Sequence, residues 1–232
     1  MKVVEIFNSI EGEGIRAGSL CTFIRLFGCN LNCSYCDSRY ACEGTDYMVL
    51  SIPEIMDAVA GYGCKRVTVT GGEPLIHPGI KSLLEALVYA DYEVNVETNG
   101  SKFPIPIVLD EPQFDYRRNE EIRVPICKGS IFYTLDWKCP TSGMESKMSI
   151  DIVNRLTEFD VLKFVVSTVA DMDAALSVIE QMTSKPTIFF SPVFKGIDAA
   201  DIVKYMQEKR LQNCRVQLQM HKYIWDPNER GV

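Results

Sequence analysis

The sequence predicts an α/β fold: a mainly parallel sheet with helices outside it, either open or rolled into a partial barrel. Three observations predict it. Strand-like and helix-like segments alternate along most of the chain, which is the rhythm of βαβ units. Two strand-like runs end in glycine, as strands do where backbone passes close to a ligand or a neighbour. No repeat, low-complexity tract or Gly/Ser linker divides the 232 residues, a length that suits one domain. In such folds function collects at the C-terminal ends of the strands.

The elements follow in order. CTFIRLFG (21–28) is β-branched and aromatic and ends at Gly28. Ile52 to Tyr62 reads as a helix, with Ser51 as N-cap, Pro53 in the first turn and Glu54 completing a capping box. RVTVT (66–70) is a strand that runs into Gly71-Gly72. Ile80 to Ala90 is helical, with Leu83, Leu84, Leu87 and Val88 at three-to-four spacing. YEVNVET (92–98), SIFYTLD (130–136), VLKFVVS (161–167), TIFFSPV (187–193) and RVQLQMH (215–221) are further strands. Helical patterns at 148–158, 170–183 and 198–211 lie between them. The stretch 101–129, with four prolines and mixed charge, breaks the rhythm. It reads as an insertion into a single domain spanning 1–232, either a small hairpin or flap, or a surface elaboration without a chemical role.

Composition narrows the function classes. Hydrophobic residues make 47% and charged residues 24%, which excludes disorder for the chain as a whole. No apolar run is long enough for a membrane span. The start, MKVVEIFNSIEGEG, carries acids where a signal peptide needs an apolar stretch, so a cytoplasmic protein is expected. The net charge of −7 argues against a general nucleic-acid binder, which needs clustered Lys and Arg. Nine cysteines are many and odd in number. Without secretion, they read as metal ligands, reactive thiols or small buried hydrophobes rather than a disulfide framework.

The strongest chemical signal is Cys29-Asn-Leu-Asn-Cys33-Ser-Tyr-Cys36, directly after a strand ending in glycine. Thiolates suit iron–sulfur clusters, Zn or Cu(I). A closed zinc site takes four ligands, commonly two separated pairs, and no second CxxC pair is present. Three cysteines would hold three irons of a [4Fe-4S] cube and leave one iron open to a chelating amine and carboxylate. Thr70-Gly71-Gly72-Glu73-Pro74 is the second motif: its glycines admit close backbone approach, and Glu73 is an acceptor for an ammonium group. The third is Ile10-Glu11-Gly12-Glu13-Gly14, with Arg25 on the strand that follows. Arg presents paired planar donors suited to a carboxylate. The alternative for this motif is a Gly-rich hairpin beside a satisfied strand Arg.

The CxxxCxxC loop after the first strand, with Tyr35 before its last cysteine and the GGEP turn one βα unit later, resembles the radical S-adenosylmethionine superfamily. SIEGEG, FIRLFGCNLNCSYCDS, TGGEP, VETNG and the late QMHK are together similar to its 7-carboxy-7-deazaguanine synthase family. The likeness covers most of the chain and is weak across 101–129. It implies an abbreviated radical S-adenosylmethionine partial (β/α) barrel, usually a homodimer, and a lyase of 7-deazapurine (queuosine-type) biosynthesis. The implied reaction is radical ring contraction of 6-carboxy-5,6,7,8-tetrahydropterin to 7-carboxy-7-deazaguanine with loss of ammonia. The implied cofactors are a [4Fe-4S] cluster, S-adenosylmethionine and Mg²⁺. An electron donor such as flavodoxin or ferredoxin is implied as partner; neither a nucleic acid nor a membrane is.

Site residues follow from the same resemblance. Cys29, Cys33 and Cys36 would hold the cluster, and Ser38 the Mg²⁺. Tyr35, Asp37, Gly72 and Glu73 would border S-adenosylmethionine, with Ser191 as a further candidate. Asp136 and Lys138 stand where the family has Ser-Pro-Lys. Ile10, Glu11, Gly12, Arg25, Thr70, Glu97 and His221 would meet the substrate; many members have Gln where this chain has Glu11. No role follows for Cys42. Cys21 and Cys64 read as core or incidental, His77 as a surface residue, and Trp137 and Trp225 as packing. Cys127, Cys139 and Cys214 could serve an auxiliary cluster. Two other functions remain open at this point: a radical S-adenosylmethionine activase acting on a protein partner, and a zinc-binding interaction module.

Overall fold

The computed structural model describes residues 1–108, 110–115, 120–125, 129–194, 196–227 and 229–232. Seven strands run parallel: β2 (Leu20–Leu26), β4 (Arg66–Gly71), β5 (Glu93–Thr98), β8 (Ser130–Lys138), β9 (Val161–Val166), β10 (Thr187–Pro192) and β11 (Cys214–Val216). Two antiparallel strands, β1 (Lys2–Ile10) and the two-residue β3 (Met48–Val49), complete the sheet beside β2. The strand order is β11-β10-β9-β8-β5-β4-β2-β1-β3, so the parallel strands follow one another in chain order. This is the partial barrel, one of the two forms that the rhythm of segments leaves open.

Crossover helices are α1 (Ile52–Gly61), α2 (Ile80–Tyr89), α3 (Ile150–Val153), α4 (Val169–Gln181) and α5 (Ala199–Glu208). The capping box at Ser51 and Glu54 forms, and Thr168 with Asp171 makes a second at α4. Among the described residues no helix is long and apolar enough to cross a membrane.

Strand alternation sorts the side chains. Ile24, Leu26, Val67, Val69, Val94, Val96, Leu135, Leu162, Phe164 and Phe190 face outward and join the helices in one large buried cluster. The neighbouring positions face the barrel interior and carry different chemistry: Arg25, Thr68, Thr70, Asn95, Glu97, Thr134, Asp136, Lys138 and Lys163. The interior is thus a polar channel lined by every second residue. Its apolar part is small, with Phe7 stacked on Phe23 at 4.9 Å beside Cys21.

Two expectations are corrected, and a third finds its form. RVQLQMH is a strand only to Val216: Gln217 makes the last bond to Phe190, and the Met220 amide then donates to the Gly12 carbonyl at 3.0 Å. That bond draws the chain across the barrel mouth into α6 (His221–Ile224). The helix expected at 148–158 shrinks to four residues, because the Asp160 carboxylate accepts from both Thr157 groups and the Tyr133 amide. The stretch 101–129 connects β5 to β8 and holds the small hairpin that is one of its two expected forms. It carries β6 (Asp110–Asp115) and β7 (Glu120–Pro125), an antiparallel pair outside the main sheet.

Asp160 is buried and satisfies donors from two segments. Asp160→Ala leaves the buried Tyr133 amide unpaired and is expected to cost about 1–3 kcal/mol, read as a lower midpoint in denaturant unfolding.

Candidate active site

The C-terminal ends of the strands open into a cavity of about 750 Å³, within the range of roughly 300–1,000 Å³ usual for small-molecule sites. The loop after β2 enters it. Apart from one 3-10 turn, Arg39–Ala41, hydrogen bonds hold this loop. Gly28 donates to Ala41 at 2.7 Å, and Ser34 donates to Ser142. The Arg39 guanidinium donates to the Cys33 carbonyl at 2.7 Å and to Asn32 at 2.6 Å.

The glycine turn after β4 braces the same loop. Gly72 donates to Leu26, and Glu73 donates to Gly28 at 2.9 Å. A Cβ on Gly72 would sit 2.1 Å from the Gly28 carbonyl oxygen, and one on Gly71, at φ +132°, 2.1 Å from that of Leu26. Only glycine allows this approach.

The Glu73 carboxylate is fully buried and does not line the cavity. It accepts from the Leu75 amide at 2.9 Å, the Thr98 hydroxyl and the Asn99 amide at 2.6 Å. Burial, against these bonds, pushes its carboxyl up to about 7. Asn99 in turn donates its side-chain amide to Cys29 Sγ at 3.5 Å.

Cys33 and Cys36 line the cavity, and Cys29 is not among its lining residues. The Cys29 and Cys36 thiols are drawn down to about 6, first by hydrogen bonding with the Cys42 thiol and against burial. Burial holds the Cys33 thiol above its ordinary value. Three soft donors on one loop, two biased towards thiolate and two facing the cavity, fit an iron–sulfur cluster. Among the described residues no group of three or more His, Cys, Asp and Glu side chains is placed to hold a metal ion. Cys42, for which the spacing suggested nothing, is thus a fourth thiol at the loop.

Most of the other expected residues share the cavity. Tyr35, Asp37, Ser38, Gly72, Asp136 and Lys138 line it, as do Ile10, Glu11, Gly12, Arg25, Thr70, Glu97 and His221. Ser191 is buried beneath it and donates to Glu13 at 3.1 Å. The Glu11 carboxylate takes the Thr68 hydroxyl, whose oxygen also meets the Cys21 thiol at 3.3 Å. Burial raises the Glu11 carboxyl above its usual value. Gly12 leaves room for His221: a Cβ there would lie 2.1 Å from the imidazole Nδ1.

Sequence reasoning assigned no role to Lys163, the cation at the centre of the interior charges. Lys163 Nζ lies 2.7 Å from Glu13 and 3.0 Å from Asp136, and Lys138 lies 3.2 Å from Asp136. Burial disfavours the Lys163 ammonium, but Asp136 and Glu13 outweigh it and lift its pKa well above the ordinary value. The same lysines overcome burial and hold Asp136 below the usual range. One signal was available: Lys163 is the lone charge in the apolar run VLKFVV, at the interior phase of the alternation. Asp136 and Lys138 share that phase, and Trp137 between them packs in the outer core.

The bland readings divide. Cys21, Cys139 and Cys214 are buried, and Trp137 packs. His77 is half-buried, away from the cavity. Cys139 follows the C-terminal end of β8, whereas Cys214 opens β11, so the two lie at opposite ends of the sheet. Cys127 lies outside the described residues.

A family model described as the radical SAM superfamily matches residues 23–111. A 7-carboxy-7-deazaguanine synthase from Clostridium acetobutylicum is 40% identical over 100% of this chain and 99% of its own length. One from Chlorobaculum tepidum is 37% identical, covering 100% of this chain and 97% of its own. The crystal structure of QueE from Escherichia coli shares the fold at a TM-score of 0.69 and 21% identity, covering 95% of this chain and 94% of that one.

Glu97 supplies a test of the interior electrostatics. Burial first, then Glu11, raises its carboxyl from 4.5 to about 7, against Lys163 and Thr70. A carboxyl raised on folding favours the folded state below its unfolded pKa and loses that contribution as pH climbs to the folded value. Glu97→Gln is therefore expected to flatten the fall in stability between pH 4.5 and about 7. Unfolding midpoints across that range check it; an unchanged slope would refute the assignment.

Proposed function

The chain belongs to the 7-carboxy-7-deazaguanine synthase family of the radical S-adenosylmethionine superfamily, and from that premise we propose how its cavity works. The reaction is ring contraction of 6-carboxy-5,6,7,8-tetrahydropterin to 7-carboxy-7-deazaguanine, with loss of ammonia. One observation carries the reading: Cys33 and Cys36 open into the same cavity as the Arg25 guanidinium. A radical source and a carboxylate receptor thus share one enclosed space. The full-length likeness to synthases also outweighs an activase with a protein partner.

Cys29, Cys33 and Cys36 hold the [4Fe-4S] cluster. When bound, cluster and S-adenosylmethionine supply the electron and the radical that begin hydrogen abstraction. Tyr35, Asp37, Gly72, Asp136 and Lys138 border the S-adenosylmethionine. Glu73 acts from behind, setting the turn and Asn99 rather than touching the cofactor, and Ser191 acts through Glu13. Arg25 uses Nε on Glu5, which leaves both Nη atoms for the substrate carboxylate. Thr70, Glu97, His221 and the 10–12 backbone line the far wall against the pterin ring. Ser38, which lines the cavity, would offer a hydroxyl to Mg²⁺, since Mg²⁺ takes oxygen ligands and keeps positions for substrate. The protein works in the cytoplasm as a homodimer supplied by a small electron-transfer protein.

The test is anaerobic turnover of reconstituted protein with S-adenosylmethionine, Mg²⁺, a reductant and the carboxytetrahydropterin, with product read by mass. Ring-contracted product is expected. Cleavage to 5′-deoxyadenosine without it would keep the radical chemistry and overturn the substrate. Cys33→Ala is expected to lose the cluster, seen as iron per chain and visible absorbance; retained iron would remove Cys33 from the ligand set. Arg25→Ala is expected to raise KM by tenfold to about a hundredfold, since a charged hydrogen bond contributes about 1.5–3 kcal/mol.

A further inference from the structure

Asn99 directly follows β5 and lines the cavity, though it is itself buried. Its backbone amide donates to Glu73 Oε2 at 2.6 Å, which fixes the residue from beneath. Its side chain is engaged at both ends. The Ser101 amide donates to Oδ1 at 3.0 Å, while Nδ2 donates to Asn30 Oδ1 at 3.1 Å and to Cys29 Sγ at 3.5 Å. Asn30 is oriented in turn, because its own side-chain amide donates to the Ser101 hydroxyl at 2.8 Å. A flipped Asn99 amide would set oxygen against the sulfur and N–H against N–H at Ser101, so the network allows one orientation. The Leu31 amide donates to the same sulfur at 3.4 Å. Two N–H groups therefore converge on Cys29 Sγ, one from the backbone and one from a side chain that a substitution can remove.

Reduction decides what such a donor does. One electron from a low-potential reductant enters the cluster, and no atom moves with it. Part of the added negative charge falls on the cysteine sulfurs. An N–H···S bond strengthens as its acceptor becomes more negative, so it stabilises the reduced state more than the oxidised one and raises the reduction potential. Burial adds to the effect, since a hydrogen bond away from water is electrostatically stronger. A residue that only shaped the turn after β5 would leave the potential where it is.

We propose that Asn99 is a positioning residue that acts through Cys29: its amide raises the reduction potential of the cluster and so eases entry of the electron. The proposal rests on the cluster reading above and not on the pterin. Its test reads the cluster directly, without substrate. Wild-type protein, Asn99→Ala and Asn99→Asp are loaded with iron and sulfide and compared at equal iron per chain. Each is titrated with a low-potential reductant and mediators while the reduced cluster is followed by electron paramagnetic resonance. Ala removes the donor and adds no charge. Asp keeps the shape but sets an oxygen against the sulfur. At the wild-type midpoint both variants are expected to show a reduced-to-oxidised ratio about threefold to tenfold lower, as the net contribution of one hydrogen bond implies. An Ala variant with the wild-type midpoint would overturn the proposal, because a lower midpoint in Asp alone reports the added charge. An Asp variant at or above the wild-type midpoint would overturn it as well. So would an Ala variant that takes up no cluster, since Asn99 would then hold the site together rather than tune it. Wild-type protein that takes up no cluster would instead fail the cluster reading itself.

Discussion

The site depends on one close approach: the backbone of Gly71-Gly72 against the backbone from Leu26 to Cys29. No side chain fits between them. β2 and β4 are paired neighbours, so their C-terminal ends are already side by side, and the glycines remove what would hold the following turns apart. Glu73 then fixes the arrangement from beneath, tying the turn to Thr98 and Asn99 at the end of β5. Three adjacent strand ends are locked into one unit before any cofactor arrives. Such preorganisation is what lets a bound group react in a chosen orientation.

Around that unit, an ordinary barrel interior has been replaced by paired charges. Taking an ammonium and a carboxylate out of water costs several kcal/mol per ion unless geometry and hydrogen bonds compensate. Here the acids and lysines alternate in space, from Glu13 through Lys163 and Asp136 to Lys138. The array joins the loop after β1 to β8 and β9, strands that are remote from it in sequence. Removing Lys163 leaves Glu13 without its ion pair, and removing Asp136 leaves Lys138 without its own, so the array ties the 10–14 loop to β8 and β9.

Much of this was legible in the sequence. Glycine-terminated strands and the capping signal of Ser51 and Glu54 are local signals and hold locally. Period-two alternation separates Val67 and Val69 from Thr68 and Thr70 on sight. What was not legible depends on partners far away in the chain. RVQLQMH has strand composition, yet its last residues leave the sheet because the Gly12 carbonyl captures Met220. Glu73 looks like a ligand-facing acid from its motif, but its donors come from β5, and they turn it inward. Asn99 and Cys29 meet only in three dimensions. Lys163 is the exception, since its position in an apolar strand was visible and its meaning was not.

Among the described residues the β5-to-β8 crossover has no helix, whereas the other parallel connections each carry one, and both its ends are pinned. Tyr133 exchanges two hydrogen bonds with Ile105, and Gly129 donates to Val88. Between those pins the described residues fold on themselves as β6 and β7 and make no ladder with the main sheet. Loop length in such a position is thermodynamically cheap, about 0.6 kcal/mol per doubling. The barrel therefore has a modular port: a stretch whose sequence and size can drift over evolutionary time without moving any strand that carries chemistry.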